Sequence, residues 1–210
     1  MNPPFNNPTQ VEQDEFLFRL YFGSDKDDLT RCIWRAYLDL CRTVHGIAKH
    51  PSIYAGAETE LRKAIANLPR YFGQLINQDK FDDWHREQCD KLIGLYKNGG
   101  YAENGNDRFT HGQAQKWINM TLKYVFVFGE DRLPGYQQLY GYCHVPIDNI
   151  IIDRLKAKCS DVPPLEGAPW SRLEKYDTYL TFQRWVRDRF PGSAPLAVEF
   201  FLWQEKAPEV

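Results

Sequence analysis

Two residues in this chain have the types and setting to do chemistry together. Lys116 lies in Gln115-Lys116-Trp117-Ile118-Asn119-Met120-Thr121-Leu122-Lys123-Tyr124, a run dominated by large apolar side chains, and Asp148 closes His144-Val145-Pro146-Ile147-Asp148. Removing water from an amine disfavours its charged form, and a neutral lysine amine attacks electrophilic carbon. A carboxylate nearby can take a proton or steady a developing cation. An amine and an acid so disposed are the minimum set for breaking a glycosidic bond through a Schiff base. Each residue also has an ordinary role: a lysine stem can carry its charge out to water, and an aspartate at a helix start serves the amide dipoles.

The elements that must position the pair are read from hydrophobic period. From Gly112 to Phe128 the apolar residues point in every direction, as in a buried helix. At 100° per residue Lys116, Met120, Lys123 and Val127 share one stripe, with Asn119 beside it. Val145-Pro146-Ile147-Asp148 reads as the start of a helix running to Lys158, with Pro146 in the first helical position and Asp148 in the third. Three- and four-residue spacing predicts further helices over Asp28–Ala48, Ala57–Gln78, Lys80–Lys97 and Ser171–Phe190, and Ala194–Gln204 is taken as a last one. The expected architecture is all-α. The proline- and asparagine-rich residues 1–10 read as a flexible arm, and residues 11–210 as one domain, with a glycine-rich loop near 98–112 dividing two possible lobes.

Composition narrows the function. The chain has 210 residues, a formal net charge of −2 and a pI near 6.2, so it has no global attraction for phosphate and any nucleic-acid contact must be local. Five cysteines form no C-x-x-C pair, which argues against a disulfide framework and points to a reducing cytoplasm. The five histidines show no metal-ligand spacing, and no P-loop, G-x-G-x-x-G or G-x-S-x-G occurs, so neither metal nor cofactor is expected. No stretch is long enough to span a bilayer.

Val145-Pro146-Ile147-Asp148 resembles the (V/I)-P-(V/I)-D segment that carries the catalytic aspartate of the helix-hairpin-helix DNA glycosylases. The Gln115–Tyr124 helix is similar to the lysine-bearing helix of their divergent archaeal 8-oxoguanine branch. Lys116 precedes Asp148 by 32 residues, the long spacing of that branch, whereas Lys123 precedes it by 25. The likeness covers roughly residues 112–158. It departs from the family at the glycine-rich hairpin, where His111-Gly112-Gln113-Ala114 stands, and Leu133-Pro134-Gly135-Tyr136 follows the helix instead of preceding it.

The resemblance implies a two-lobed helical glycosylase/lyase of base-excision repair, monomeric and acting on DNA with a modified base such as 8-oxoguanine. Lys116 would be the nucleophile, with Lys123 the alternative, and Asp148 the stabilising carboxylate. Trp117, Tyr176, Asp177 and Trp185 are candidates for base binding. Gly112 amides, Arg184 and Arg187 are candidates for the DNA backbone. The rival reading is a non-catalytic helical module that binds protein or nucleic acid through aromatic and arginine surfaces.

Overall fold

The computed structural model describes residues 7–23, 26–73, 77–101, 108–165 and 169–204, and the described residues are helical, without a strand. The helices are α1 (Gln10–Phe22), α2 (Asp28–Cys41), α3 (Pro51–Ala66), α4 (Leu68–Phe72), α5 (Gln78–Asn98), α6 (His111–Phe128), α7 (Asn149–Lys158), α8 (Tyr176–Arg189) and α9 (Pro195–Gln204). None among them is long and apolar enough to cross a membrane. Residues 1–6 of the expected arm lie outside the described residues.

Helix α1 is absent from the sequence reading. Its charged residues break up any clean apolar stripe, yet Thr9 and Glu12 form a capping box that starts it one residue before Val11. Elsewhere the period foresees the helices; α5 and α6 run slightly past the expected bounds, whereas other expected helices overrun the observed ends. Helix α2 stops at Cys41, and Gly46 then takes φ +96°, a left-handed turn that an L side chain resists. The helix expected over Ala57–Gln78 begins earlier, at Pro51, and breaks between α3 and α4. Pro69 has no N–H to continue the ladder and crowds the carbonyl four residues back. That carbonyl, of Ile65, accepts from the Tyr136 hydroxyl at 3.0 Å instead.

The long helix expected over Ser171–Phe190 is also shorter. Residues 170–172 form a single 3₁₀ turn and α8 begins at Tyr176, because the carbonyls between are used elsewhere. Ser171 O accepts from Thr110 Oγ1 at 2.8 Å and Leu173 O from the Gly112 amide at 3.0 Å, while Glu174 O bonds His111. These carbonyls bind the head of α6 rather than closing a helical turn.

Helix α6 is the axis of the molecule, buried along nearly its whole length. It packs chiefly on α2 and also on α5 and α8. Trp117 is fully buried against α2, donating its indole N–H to Ile33 O at 3.0 Å. One contiguous set of buried apolar side chains runs from Phe22 through α6 to Leu202.

Candidate active site

The stripe read on the α6 wheel faces a cleft of about 540 Å³. Lys116, Met120, Lys123 and Val127 form one wall, with Tyr124 beside them. Asp39, Arg42 and Thr43 from the end of α2 face them, and Tyr21 from α1, Ile150 from α7 and Trp203 from α9 complete the rim. Asn119, expected beside the stripe, turns away into the core.

Asp148 enters the same cleft. Lys116 Nζ donates to Asp148 Oδ2 at 2.6 Å, and the two side chains are only 7% and 13% exposed. The helix start differs from expectation by a few residues: α7 begins at Asn149, so Asp148 is its N-cap in extended conformation and Pro146 lies outside the helix. The physical reason is the carboxylate itself, whose Oδ1 accepts from the Ile151 amide at 2.9 Å while Oδ2 remains for the amine.

What holds residues 143–148 extended is a pair of buried glutamines. Gln115 accepts from Ile147 N at 3.2 Å and donates to Ile147 O at 3.0 Å, and Gln183 does the same for Val145, at 3.0 and 2.9 Å. Each amide satisfies a backbone that has no strand neighbour. Gln115 precedes Lys116 directly, so one turn of α6 presents the amine and grips the segment that delivers the acid. Neither glutamine received a role from sequence; the only signal was an amide inside an apolar run. Gln115→Leu leaves two buried backbone groups at Ile147 unpaired and should cost about 2–5 kcal/mol, seen as a lower urea midpoint. Unchanged stability would remove Gln115 from this role.

Behind the cleft lies a second polar set. Asn119 links His85 (3.0 Å) to Tyr179 (2.8 Å), Tyr179 bonds His144 (2.8 Å), and His144 bonds Asp82 (2.8 Å), which also binds Arg187 at 3.1 Å. Burial pushes His85 well below the usual histidine range and lowers His144 as well. For Asp82 burial works upward, but hydrogen bonds from His144 and Gln78 and the charges of His144 and Arg187 win, bringing it to about 2.

Unfolded histidines take up protons near pH 6.5, which the folded pair resists. Stability held above that pH is therefore lost as pH falls below it, and Asp82 adds a loss of the same sign between pH 3.8 and about 2. Buried Glu199 is raised and works in the opposite sense, one group against two histidines. The urea midpoint should fall from pH 7 to pH 5; a flat or rising midpoint contradicts the assignment.

Lys123 has its own partner. It pairs with Glu199 Oε1 at 2.6 Å and sits 5.3 Å from the Trp203 ring centre. Glu199 is fully buried, and its other oxygen has no hydrogen-bond partner. Desolvation raises its pKa despite the charges of Lys123 and Lys116.

The remaining candidates stand away from the cleft. Trp117 is core. Tyr176 is buried with its hydroxyl on Asp82 O, because the apolar side of α8 packs inward. Asp177 is exposed and paired with Arg86 at 2.5 Å, and Trp185 donates to Asp161 at 3.2 Å. Gly112 offers no amide to phosphate, since its N–H is spent on Leu173 O. Arg187 is committed to Asp82, and Arg184 is exposed on α8. In place of these aromatics the cleft has Tyr21, on the helix the period missed, and Trp203, at the end of the ambiguous PLAVEFFLW run.

Among the described residues no group of three or more histidine, cysteine or acidic side chains is placed to hold a metal ion, and the five cysteines are free thiols. No protein-family model, curated protein or solved structure matches the chain.

Proposed function

We propose that this chain is a lysine-dependent DNA glycosylase/lyase, with the two-lobed helical arrangement of the helix-hairpin-helix enzymes, acting on a damaged base of the 8-oxoguanine kind. The observation that carries it is the 2.6 Å contact between Lys116 Nζ and Asp148 Oδ2 inside a cleft large enough for a nucleoside. An extruded nucleotide would place its deoxyribose at this pair and its base toward the Tyr21 and Trp203 rings. Lys123, which lines the same end of the cleft, supplies hydrogen-bond donors there for the base.

The chemistry follows from the contact. Lys116 passes a proton to Asp148 and attacks C1′, and the N-glycosidic electron pair leaves with the base, which takes up that proton from Asp148. Opening of the sugar ring gives a Schiff base between Lys116 and C1′, and loss of a proton from C2′ expels the 3′ phosphate. Once Asp148 has given up that proton, its carboxylate steadies the cationic sugar. Lys116 is the better nucleophile candidate because it is the amine on Asp148, whereas Lys123 is held by Glu199. Incubation with duplexes bearing 8-oxoguanine, uracil or an abasic site, followed by borohydride, tests the reading. A covalent adduct is expected; none with any lesion would favour a non-catalytic binding module.

A further inference from the structure

A second cavity, of about 530 Å³, opens at the head of α6 and shares Thr43 with the cleft. Gln113 of α6 lines it, one helical turn from Lys116, roughly 5 Å along the axis. Its wall carries Arg108, Arg172 and His45, with Glu174 the one carboxylate. Neither guanidinium forms an ion pair among the described residues.

Gln113 is the informative member. It is 7% exposed, and its Oε1 is buried without a hydrogen-bond partner. Buried amides are ordinarily paired, and one left open beside a polar cavity marks a place where a partner is supplied from outside. The amide can be turned end for end, so it presents a donor or an acceptor as the partner requires. The backbone amides of this helix end contribute little: those of Gln113, Ala114 and Gly112 are bound to Thr110 Oγ1, Thr110 O and Leu173 O.

We propose that this cavity is a phosphate-binding subsite, in which Arg108 and Arg172 hold a phosphate and the Gln113 amide hydrogen-bonds the group attached to it. As a subsite for the DNA strand it rests on the glycosylase reading, and it would seat the phosphate of a nucleotide neighbouring the one presented to Lys116. Guanidinium pairs suit phosphate oxygens because their donors match the fork geometry. The excess of positive charge here stands against a chain whose net charge is −2, so the attraction is local.

The test uses the full chain and two probes. Fluorescence anisotropy with a labelled duplex containing a tetrahydrofuran abasic analogue reads strand binding across salt, and NMR titration with inorganic phosphate reads the anion alone. Arg108→Ala/Arg172→Ala should weaken duplex binding about 10-fold or more and lower the log–log salt slope by roughly 1 to 2. Gln113→Leu should weaken binding several-fold while leaving the melting temperature equal or higher, since no fold contact of the amide is lost; a structural glutamine would show the reverse.

Wild-type affinity and salt slope in both variants would overturn the proposal. If the wild type binds no duplex, the DNA reading fails on its own. The subsite then stands only if inorganic phosphate shifts the Gln113 side-chain amide resonances in a manner lost in the double arginine variant, the ligand being a small phosphate compound. No such shift would end both.

Discussion

Lys116→Gln abolishes the borohydride-trapped adduct on every lesion duplex that the wild type attacks. The substitution keeps hydrogen-bonding capacity, on a side chain one atom shorter, but removes the nucleophile, so no covalent bond to C1′ can form. Asp148→Asn should leave a weak adduct and slow base release by about 10²–10⁴-fold, the usual worth of a positioned acid or base. An adduct of wild-type yield in Lys116→Gln sinks the assignment to this residue, and the same experiment on Lys123→Gln then decides whether the second amine is used.

Stability separates chemistry from structure at the same pair. Asparagine remains a good N-cap for α7, so Asp148→Asn spares the Ile151 contact, yet it leaves the Lys116 amine in a nearly closed site without its carboxylate. Losing one partner of a buried pair costs on the order of 3–5 kcal/mol, whereas removing both charges is much less harmful. The double variant Lys116→Gln/Asp148→Asn should therefore melt higher than Asp148→Asn while remaining inactive. A double variant that melts lower would show that the pair is not electrostatically coupled in this way.

Gly112→Ala is expected to be the most damaging small substitution in α6. A Cβ there would lie 1.8 Å from Trp170 O and 2.9 Å from its carbonyl carbon, which are backbone atoms that cannot rotate aside. Relief requires lifting α6 off residues 170–173, breaking the Gly112 N–H to Leu173 O bond and shifting Lys116 one turn away. Overpacking of this kind costs about 3 kcal/mol or more, roughly a 10 °C fall in melting temperature for a chain of this size. The control is Gly56→Ala in α3, where a Cβ meets nothing within 4 Å and better helix propensity should stabilise slightly. Equal melting of the two variants would contradict this account of Gly112.

Gly112 also shows where sequence reading and structure part. A glycine at a helix head one turn before a lysine invites a phosphate site, but the backbone of Trp170–Leu173, about 60 residues further on, takes both its N–H and the space a side chain would fill. Nothing local announces such a partner. The same holds for Tyr176 and Trp185: aromatic type suggested stacking faces, and only packing shows that α8 turns the first inward and fixes the second on Asp161.

By itself, the sequence determined the helical class, the amine-bearing stripe of α6 and the aspartate at the entrance to α7. All three are local: period sets which residues share a face, and a proline–aspartate pair sets where a helix can begin. The tertiary structure alone decided what that stripe meets. Gln115 reaches 32 residues to grip Ile147, Lys123 reaches 76 to Glu199, and Tyr21 and Trp203 come from opposite ends of the chain to the rim of one cleft. These partners are chosen by how buried polar groups are satisfied once the core closes, a condition on the whole chain that no window of residues contains.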